Sequence, residues 1–467
     1  MSENEKNIEG DFSLKTSLAF SSAAISDVIA YQSFTFLIFT FYYTIVGINV
    51  ILISIGFAIW SIWNALNDPI LGALSDRTHT RWGRRIPWII ASIIPLGIIM
   101  ILLFTPPISF GINDEMTNFI YFLVIIIIFE LFYTMFSINQ TSLFPEVFID
   151  KDERAKVNNV KQIFIIIALI FAFILPTFFI PDLTERRYLP NYLFFGIVAC
   201  VIIIFTGLIF LKWGAREKEE FKEDYKDMPG FINSVKICVE NECFRWPALS
   251  LIMVWFVFGM LPTIIPLYGK FVLGVENSLY IALMLALAFI SATIFINIWR
   301  VVAQKIGPRK TWMYSMLVWI LTFIPLMFIS DPISGMICFF LLGIGLAGAL
   351  YLRDLMWADV IDEDETRTGV RREAAYYGVN ALFMRFSTVL IFLAISLVFT
   401  TTGWGEYTPT PGADVIFGLR VLIAIFPIIA LGIAIFGFYM YPLDGERLRK
   451  VKEAQRKLHE EKKSKIK

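Results

Sequence analysis

The chain has 467 residues, of which 57% are hydrophobic and only 17% are charged. A soluble domain carries about 25% charged residues, and here the apolar residues form runs of about 20 or more, the length that crosses a bilayer. This composition excludes an ordinary soluble protein and predicts a multi-pass membrane protein in contact with the lipid bilayer. Forty basic and forty acidic residues give a net charge of zero, so no nucleic-acid partner is expected.

The N-terminal residues 1–11 are polar and acidic, without an apolar core or cleavage site, so no signal peptide is expected. Hydropathy predicts twelve spans, at about 17–46, 50–75, 87–105, 118–144, 158–180, 191–212, 247–270, 278–302, 312–330, 334–357, 374–401 and 414–441. Lysine and arginine concentrate in the loops that follow even-numbered spans. The positive-inside rule therefore places both termini in the cytoplasm, and we expect a cell (plasma) membrane location.

The chain also contains an internal repeat. The acidic segment 144–154 after span four resembles 357–367 after span ten, and the basic loop after span two has a shorter counterpart after span eight. Each pair is six spans apart, which predicts an all-α membrane protein with two pseudo-symmetric six-helix bundles. The predicted parts are the first half, a cytoplasmic connecting loop, the second half and a basic cytoplasmic tail: 1–212, 213–246, 247–443 and 444–467.

Span one contains an acidic residue, Asp27, about 12 Å along the helix from the start of the span. Tyr31 and Phe34 follow it by one and two turns and share its face. A carboxylate beside aromatic rings suits sugar hydroxyl groups, and equally a cationic head group. The alternative is a polar contact between helices.

Span two contains Asn64 and Asp68, four residues apart on one face. Their oxygens, together with the Thr134 hydroxyl, would suit a sodium ion, and a desolvated aspartate also suits a proton. The alternative for Asp68 is a structural cap or ion pair.

The loop after span two is predicted to form a cytoplasmic gate that opens and closes during alternating access. Its alternative role is to determine topology, and both roles are compatible. The predicted gate residues lie in this loop, in the two acidic segments and just after the second of them: Asp76, Arg77, Arg81, Arg84, Arg85, Glu146, Arg154, Asp359, Asp362 and Arg371.

Span four places Glu130, Thr134 and Ser137 on one stripe. Glu130 is predicted either to take part in ion coupling or to pair with Lys161, Arg385 or Arg300. Lys161 on span five, which is also a coupling candidate, and Arg385 on span eleven are expected counter-charges for an internal carboxylate or an anionic substrate.

The sequence lacks the motifs that are typical of several function classes. The cysteines show neither a disulfide framework nor the spacing of a zinc site: Cys200, Cys238, Cys243 and Cys338. There is no nucleotide-binding glycine-rich loop and no nucleophile motif, and the chain has two histidines. An enzyme or an ATP-driven pump is therefore not expected, and no cofactor beyond a coupling Na⁺ or H⁺ is predicted.

Three motifs resemble those of a known family. They are the loop Gly72-Ala-Leu-Ser-Asp-Arg-Thr-His-Thr-Arg-Trp-Gly-Arg-Arg85, the preceding Asn67-Asp68-Pro69, and Ala358-Asp-Val-Ile-Asp362 with Arg371 and Glu373 following. They are similar to the major facilitator superfamily, and within it to the glycoside–pentoside–hexuronide:cation symporters of the melibiose permease group. Related eukaryotic lysolipid carriers share this fold.

The resemblance implies roles for individual positions. For the cation site it implies Asp68 and Thr134, with Asn64 standing where the family has a first aspartate. For the sugar site it implies Asp27 and Ser137, the latter in place of a second aspartate. The family's basic substrate-site positions correspond here to Gln162 and Arg385.

The leading hypothesis is therefore a cation-coupled symporter for a sugar, glycoside or uronide, acting as a monomer on a small-molecule substrate. A transporter of a lysolipid or another amphipathic solute is the second hypothesis. A membrane sensor that transports nothing is the third, and it predicts that replacing Asp68 leaves function intact.

Overall fold

The computed structural model describes residues 14–78, 80–148, 151–216, 231–369 and 372–466. In this part of the chain the α-helices are α1 (Leu14–Thr40), α2 (Val50–Asp76), α3 (Ile86–Leu102), α4 (Glu115–Val147), α5 (Lys151–Phe179), α6 (Leu189–Ile209), α7 (Phe231–Glu240), α8 (Glu242–Phe271), α9 (Ser278–Ile306), α10 (Pro308–Phe323), α11 (Pro332–Thr368), α12 (Glu373–Thr401), α13 (Ala413–Arg420), α14 (Phe426–Met440) and α15 (Gly445–Ile466). A π-helical segment, Val421–Ile425, joins α13 and α14 into one continuous span.

Eleven helical segments of the described chain are long and apolar enough to cross a membrane, and α3 is a shorter apolar helix of 17 residues. Together they correspond to the twelve predicted spans. A helix satisfies its backbone hydrogen bonds internally, which is what a chain needs inside lipid. The prediction of an all-α, multi-pass membrane protein is therefore confirmed.

Three helical stretches extend beyond the predicted spans. The acidic segment after span ten continues α11 as far as Thr368, where Gly369 adopts a left-handed conformation (φ 76°) and its N–H bonds to the Glu365 carbonyl. The helix α7 lies in the connecting segment, and the basic tail forms α15. Charged residues at helical spacing support such extensions through i,i+4 pairs, such as Lys450 with Glu446 in α15.

The chain divides into two compact units. The first comprises Met1–Val46 and Leu66–Met228. Within it, α1 and α6 are joined by hydroxyl groups: the Ser22 Oγ donates to the Thr206 carbonyl at 3.0 Å, and the Ser26 and Thr206 hydroxyls lie 2.6 Å apart. At Gly196 a β-carbon would lie 2.7 Å from the Met100 carbonyl, so α3 and α6 approach through this glycine. Small and hydroxylated residues provide close packing between helices in membranes.

The second unit comprises Gly47–Ala65 and Pro229–Lys467, so it includes the first half of α2. That half packs on α12, where Ser54 Oγ donates to the Phe392 carbonyl at 3.1 Å and the Phe57 ring stacks on Phe392 at 3.7 Å. Elsewhere in the unit, the Trp299 indole N–H donates to the Ile344 carbonyl at 2.7 Å and joins α9 to α11.

Candidate functional site

The first group of polar residues surrounds Asp27 in the first unit. The side chains of Ser137 and Tyr133, on α4, hydrogen-bond to its carboxyl group, and Lys161 on α5 attracts it electrostatically. The Asp27 Oδ1 atom is buried and has no hydrogen-bond partner among the described residues. One carboxylate oxygen is therefore held by the protein, while the other is available to a donor group of a ligand.

Aromatic rings stack beside this carboxylate. Tyr31 stacks on Tyr133 with 5.0 Å between ring centroids, Phe129 on Tyr133 at 5.8 Å, and Phe34 on Phe129 at 4.4 Å. Tyr31 and Phe34 follow Asp27 as the helical spacing predicts, but their ring faces pack against α4. These rings fix α1 against α4, and so position Asp27 relative to Tyr133.

The second group is centred on Thr134. Its hydroxyl lies 3.1 Å from the Asp68 Oδ1 atom on α2 and 3.2 Å from the Glu130 Oε1 atom one turn earlier on α4. The Asn67 side-chain amide donates to the Glu130 backbone carbonyl at 3.3 Å. Thr134 and Glu130 are buried. The structure thus brings two predicted cation-site residues, Asp68 and Thr134, into contact and adds Glu130 to them.

Asn64 lies one turn before Asp68 on α2, in the part of that helix grouped with the second unit. Its side chain is fully buried, and neither its amide oxygen nor its amide nitrogen has a hydrogen-bond partner among the described residues. Its role in cation binding stays a prediction.

Two further predicted substrate residues lie on α5 and α12. Gln162 is exposed on α5, and Arg385 is half-buried on α12 of the second unit. Lys161, next to Gln162, has its ammonium group 5.4 Å from the centre of the Phe144 ring. Of the two neighbouring residues on α5, Lys161 is the one that attracts Asp27 electrostatically.

The arginines of the loop after α2 differ in their exposure. Arg84 and Arg85 are buried, whereas Arg77 and Arg81 are exposed, with the Arg81 guanidinium 4.7 Å from the centre of the Trp82 ring. Four predicted gate positions lie outside what the structure describes, namely residue Arg371 and the side chains of Asp76, Glu146 and Arg154.

The two gate aspartates on α11 contact the C-terminal helix. Lys452 Nζ lies 2.7 Å from both Asp359 Oδ1 and Asp362 Oδ2, and the Gln455 amide donates to Asp362 Oδ1 at 2.6 Å. Burial lowers the pKa of Lys452, but hydrogen bonds and attraction from the two aspartates outweigh this effect, so the pKa lies above its usual value. The ammonium form is therefore favoured in this contact.

Sequence reasoning missed Tyr133, Lys452 and Gln455. A signal for Tyr133 was present, since it precedes Ser137 by one turn on α4 and so lies on the same stripe. The partners of the α11 aspartates had no comparable signal, because the tail showed only a basic composition.

Comparison with known proteins gives three findings. The family model for MFS/sugar transport proteins matches residues 19–445. The chain is 24% identical to the isoprimeverose transporter of Lactiplantibacillus pentosus, over 91% of this chain and 88% of the relative. It is 23% identical to sodium-dependent lysophosphatidylcholine symporter 1 of Gallus gallus, over 85% of this chain and 81% of the relative.

The structure also resembles a solved one. The crystal structure of the nucleoside transporter NupG aligns with a TM-score of 0.67 and 13% sequence identity, over 92% of this chain and all of that chain. At this identity the likeness shows the fold alone.

Proposed function

Because the chain belongs to the MFS/sugar transport protein family, and is thus a membrane transporter rather than an enzyme, we propose that it is a cation-coupled symporter of a sugar, glycoside or uronide. In this proposal Asp68 and Thr134 hold the coupling Na⁺ or H⁺, and Asp27 binds the substrate. The protein acts as a monomer in the plasma membrane, with both termini and the loop after α2 in the cytoplasm.

The observation that carries the proposal is the position of α4 between the two polar groups. Its neighbouring residues Tyr133 and Thr134 face different carboxylates: Tyr133 bonds to Asp27, and Thr134 to Asp68. A cation that changes the Thr134 contact also acts on the helix that positions Tyr133. Coupling between two sites requires such a shared element, and it is reciprocal, so the substrate strengthens cation binding to the same degree.

The Asp27 group has the donors and acceptors that a sugar requires. Its carboxylate oxygen accepts a hydroxyl hydrogen, Lys161 donates to a ring or glycosidic oxygen, and charged partners make such hydrogen bonds stronger than neutral ones. A uronide carboxylate would also be accommodated beside Lys161. Alternating access then exposes the group to one side of the membrane at a time.

A second cargo is supported by a specific observation. Asp27 and Lys161 present opposite charges close together in an aromatic surrounding, which matches a zwitterionic head group as well as a sugar. The lysophosphatidylcholine symporter among the relatives points to the same class. A lysophospholipid is therefore the alternative substrate, and the same assay separates the two.

The test is transport by purified protein in liposomes. Labelled sugars, glycosides, uronides and lysophosphatidylcholine are offered under an inward sodium gradient and, separately, an inward proton gradient. Wild type is compared with Asp68→Asn and with Glu115→Gln, a control that removes an exposed carboxylate from the first turn of α4. We expect uptake of one sugar class under one gradient, lost in Asp68→Asn and retained in Glu115→Gln.

Two outcomes would contradict the sugar proposal. Uptake of lysophosphatidylcholine alone would move the substrate to the lipid class and keep the coupling. Absence of uptake of every compound under both gradients, with correctly folded protein, would favour the non-transporting sensor.

A further inference from the structure

Glu130 is a buried acid for which no motif of the chain accounts. It lies on α4 with its side chain fully buried, one turn before Thr134. A carboxylate in the interior of a membrane protein carries a large desolvation cost and usually marks an ion pathway. Its position therefore requires a compensating interaction, and the contacts around it indicate which one.

The Thr134 hydroxyl is shared by two carboxyl groups. It has one hydrogen, which it can donate to only one oxygen at a time. The Asp68 and Glu130 oxygens lie at 3.1 Å and 3.2 Å from it, so with both acids ionised one contact would place an anionic oxygen against a lone pair. A positive charge among the three oxygens removes this repulsion, either as a proton on one carboxyl group or as a monovalent cation that all three oxygens contact.

The asparagine next to Asp68 adds to this arrangement. Asn67 donates to the Glu130 backbone carbonyl at 3.3 Å, so α2 and α4 are fixed at this level.

We propose that Glu130 supplies the second negative charge of the coupling site, so that the monovalent cation is held by Asp68 Oδ1, Thr134 Oγ1 and Glu130 Oε1. This inference rests on the proposed function, because it assigns a further residue to the site that drives transport. It places one carboxylate on α2 and one on α4, so cation binding fixes the distance between the two helices. Either Na⁺ or H⁺ would supply the positive charge among these oxygens, and the experiment distinguishes the two ions.

The experiment measures cation binding without a transported substrate. Purified full-length protein is titrated with ²²Na⁺ at equilibrium, and its carboxyl C=O infrared band is recorded with and without sodium. The variants are Glu130→Gln, Glu130→Asp, Asp68→Asn and the α4 control Glu115→Gln. Size-exclusion profiles and thermal unfolding confirm that each variant is folded.

If the ion is sodium, we expect the affinity of Glu130→Gln for ²²Na⁺ to fall by on the order of tenfold or more, because one of two nearby negative charges is lost. Glu130→Asp should restore part of this affinity. If the ion is a proton, wild type binds no ²²Na⁺, and its protonated-carboxyl band disappears in Glu130→Gln. In both cases Glu115→Gln behaves as wild type.

The inference is overturned if Glu130→Gln binds the cation as wild type does while Asp68→Asn does not; the proposed function then stands without Glu130. It is also overturned, together with the coupling role of Asp68, if wild type shows neither sodium binding nor a protonated carboxyl group.

Discussion

Two sets of carboxylates differ in the partners that hold them. On α11, Asp364 accepts two hydrogen bonds from Arg372, at 2.9 Å and 2.7 Å, and one from Arg367 at 3.2 Å. In the first unit, Asp27 is bonded by Ser137 and Tyr133, and the carboxyl groups of the α2–α4 pair share the Thr134 hydroxyl. The α11 acids thus receive cationic side chains, whereas hydroxyl groups are prominent around the acids of the first unit.

The difference separates structural from functional acids. A guanidinium group is permanently charged and binds a carboxylate in a fixed planar geometry, so it compensates the charge within the protein. A hydroxyl group orients a carboxylate but brings no charge of its own, and around Asp27 the positive charge comes from Lys161. We infer that Asp364 stabilises that end of the second unit, and in the proposed function the acids of the first unit bind the substrate and the cation.

The largest expected effect on transport comes from Asp27→Asn. The amide keeps the volume but removes the charge that attracts Lys161, and we expect substrate uptake to fall by roughly 100-fold, in line with loss of a charged hydrogen-bond acceptor. Uptake rates in proteoliposomes measure this. Thermal unfolding should change little, and a large loss of thermal stability would instead indicate a structural helix–helix contact.

The largest expected effect on stability comes from Asp364→Asn. It removes a buried charge and leaves Arg372 without its carboxylate, which costs about 3–5 kcal/mol of unfolding free energy for a buried pair. Glu446→Gln is the matched control, since its pair with Lys450 is exposed and contributes about 0–1 kcal/mol. Equal unfolding curves for the two variants would show that Asp364 does not stabilise the second unit.

A smaller effect is expected from Tyr133→Phe. The change deletes one hydroxyl group that holds Asp27 and keeps the ring that stacks on Tyr31. A hydrogen bond to a charged group contributes about 1.5–3 kcal/mol, and we expect its loss to weaken substrate binding by up to this free energy. We expect a higher KM for uptake with an unchanged maximal rate per folded protein. Phe129→Leu, which alters the stack alone, serves as the comparison, and an equal rise in KM there would assign the effect to packing.

The smallest effect is expected from Lys452→Ala at the α11–α15 contact. The Lys452 side chain is 39% exposed, so the ion pairs contribute about 1 kcal/mol or less. Because the pKa of Lys452 is raised, its contribution is fully present below the usual lysine pKa and is lost only as the pH rises through the raised value. Hydrogen exchange of α15 at neutral pH measures the change, and unaltered exchange would show that other contacts hold the helix.

Much of the fold follows from the sequence, because apolar runs of span length have few other structures available to them. The candidate site follows from the sequence only in part. Asp68 and Thr134 meet as the family motif implies, but helices that are buried all round lack an amphipathic period that would show which neighbours they face. The contact of Thr134 with Glu130 follows from spacing, whereas the attraction between Lys161 and Asp27 depends on how α1 and α5 pack.

The C-terminal tail shows the same limit of prediction from the sequence. A basic stretch after the last span is equally typical of a solvated segment and of a docked helix. Its docking depends on carboxylates that occur about 90 residues earlier, at Asp359 and Asp362. Only the three-dimensional structure brings Lys452 to them.

The most direct test of the central claim compares two transport modes in the same proteoliposomes. One is accumulation driven by a sodium or proton gradient, and the other is exchange of labelled for unlabelled substrate without a gradient. If Asp68 binds the cation and Asp27 binds the substrate, Asp68→Asn loses accumulation but retains exchange, while Asp27→Asn loses both. Accumulation by Asp68→Asn at the wild-type level under either gradient would contradict the account.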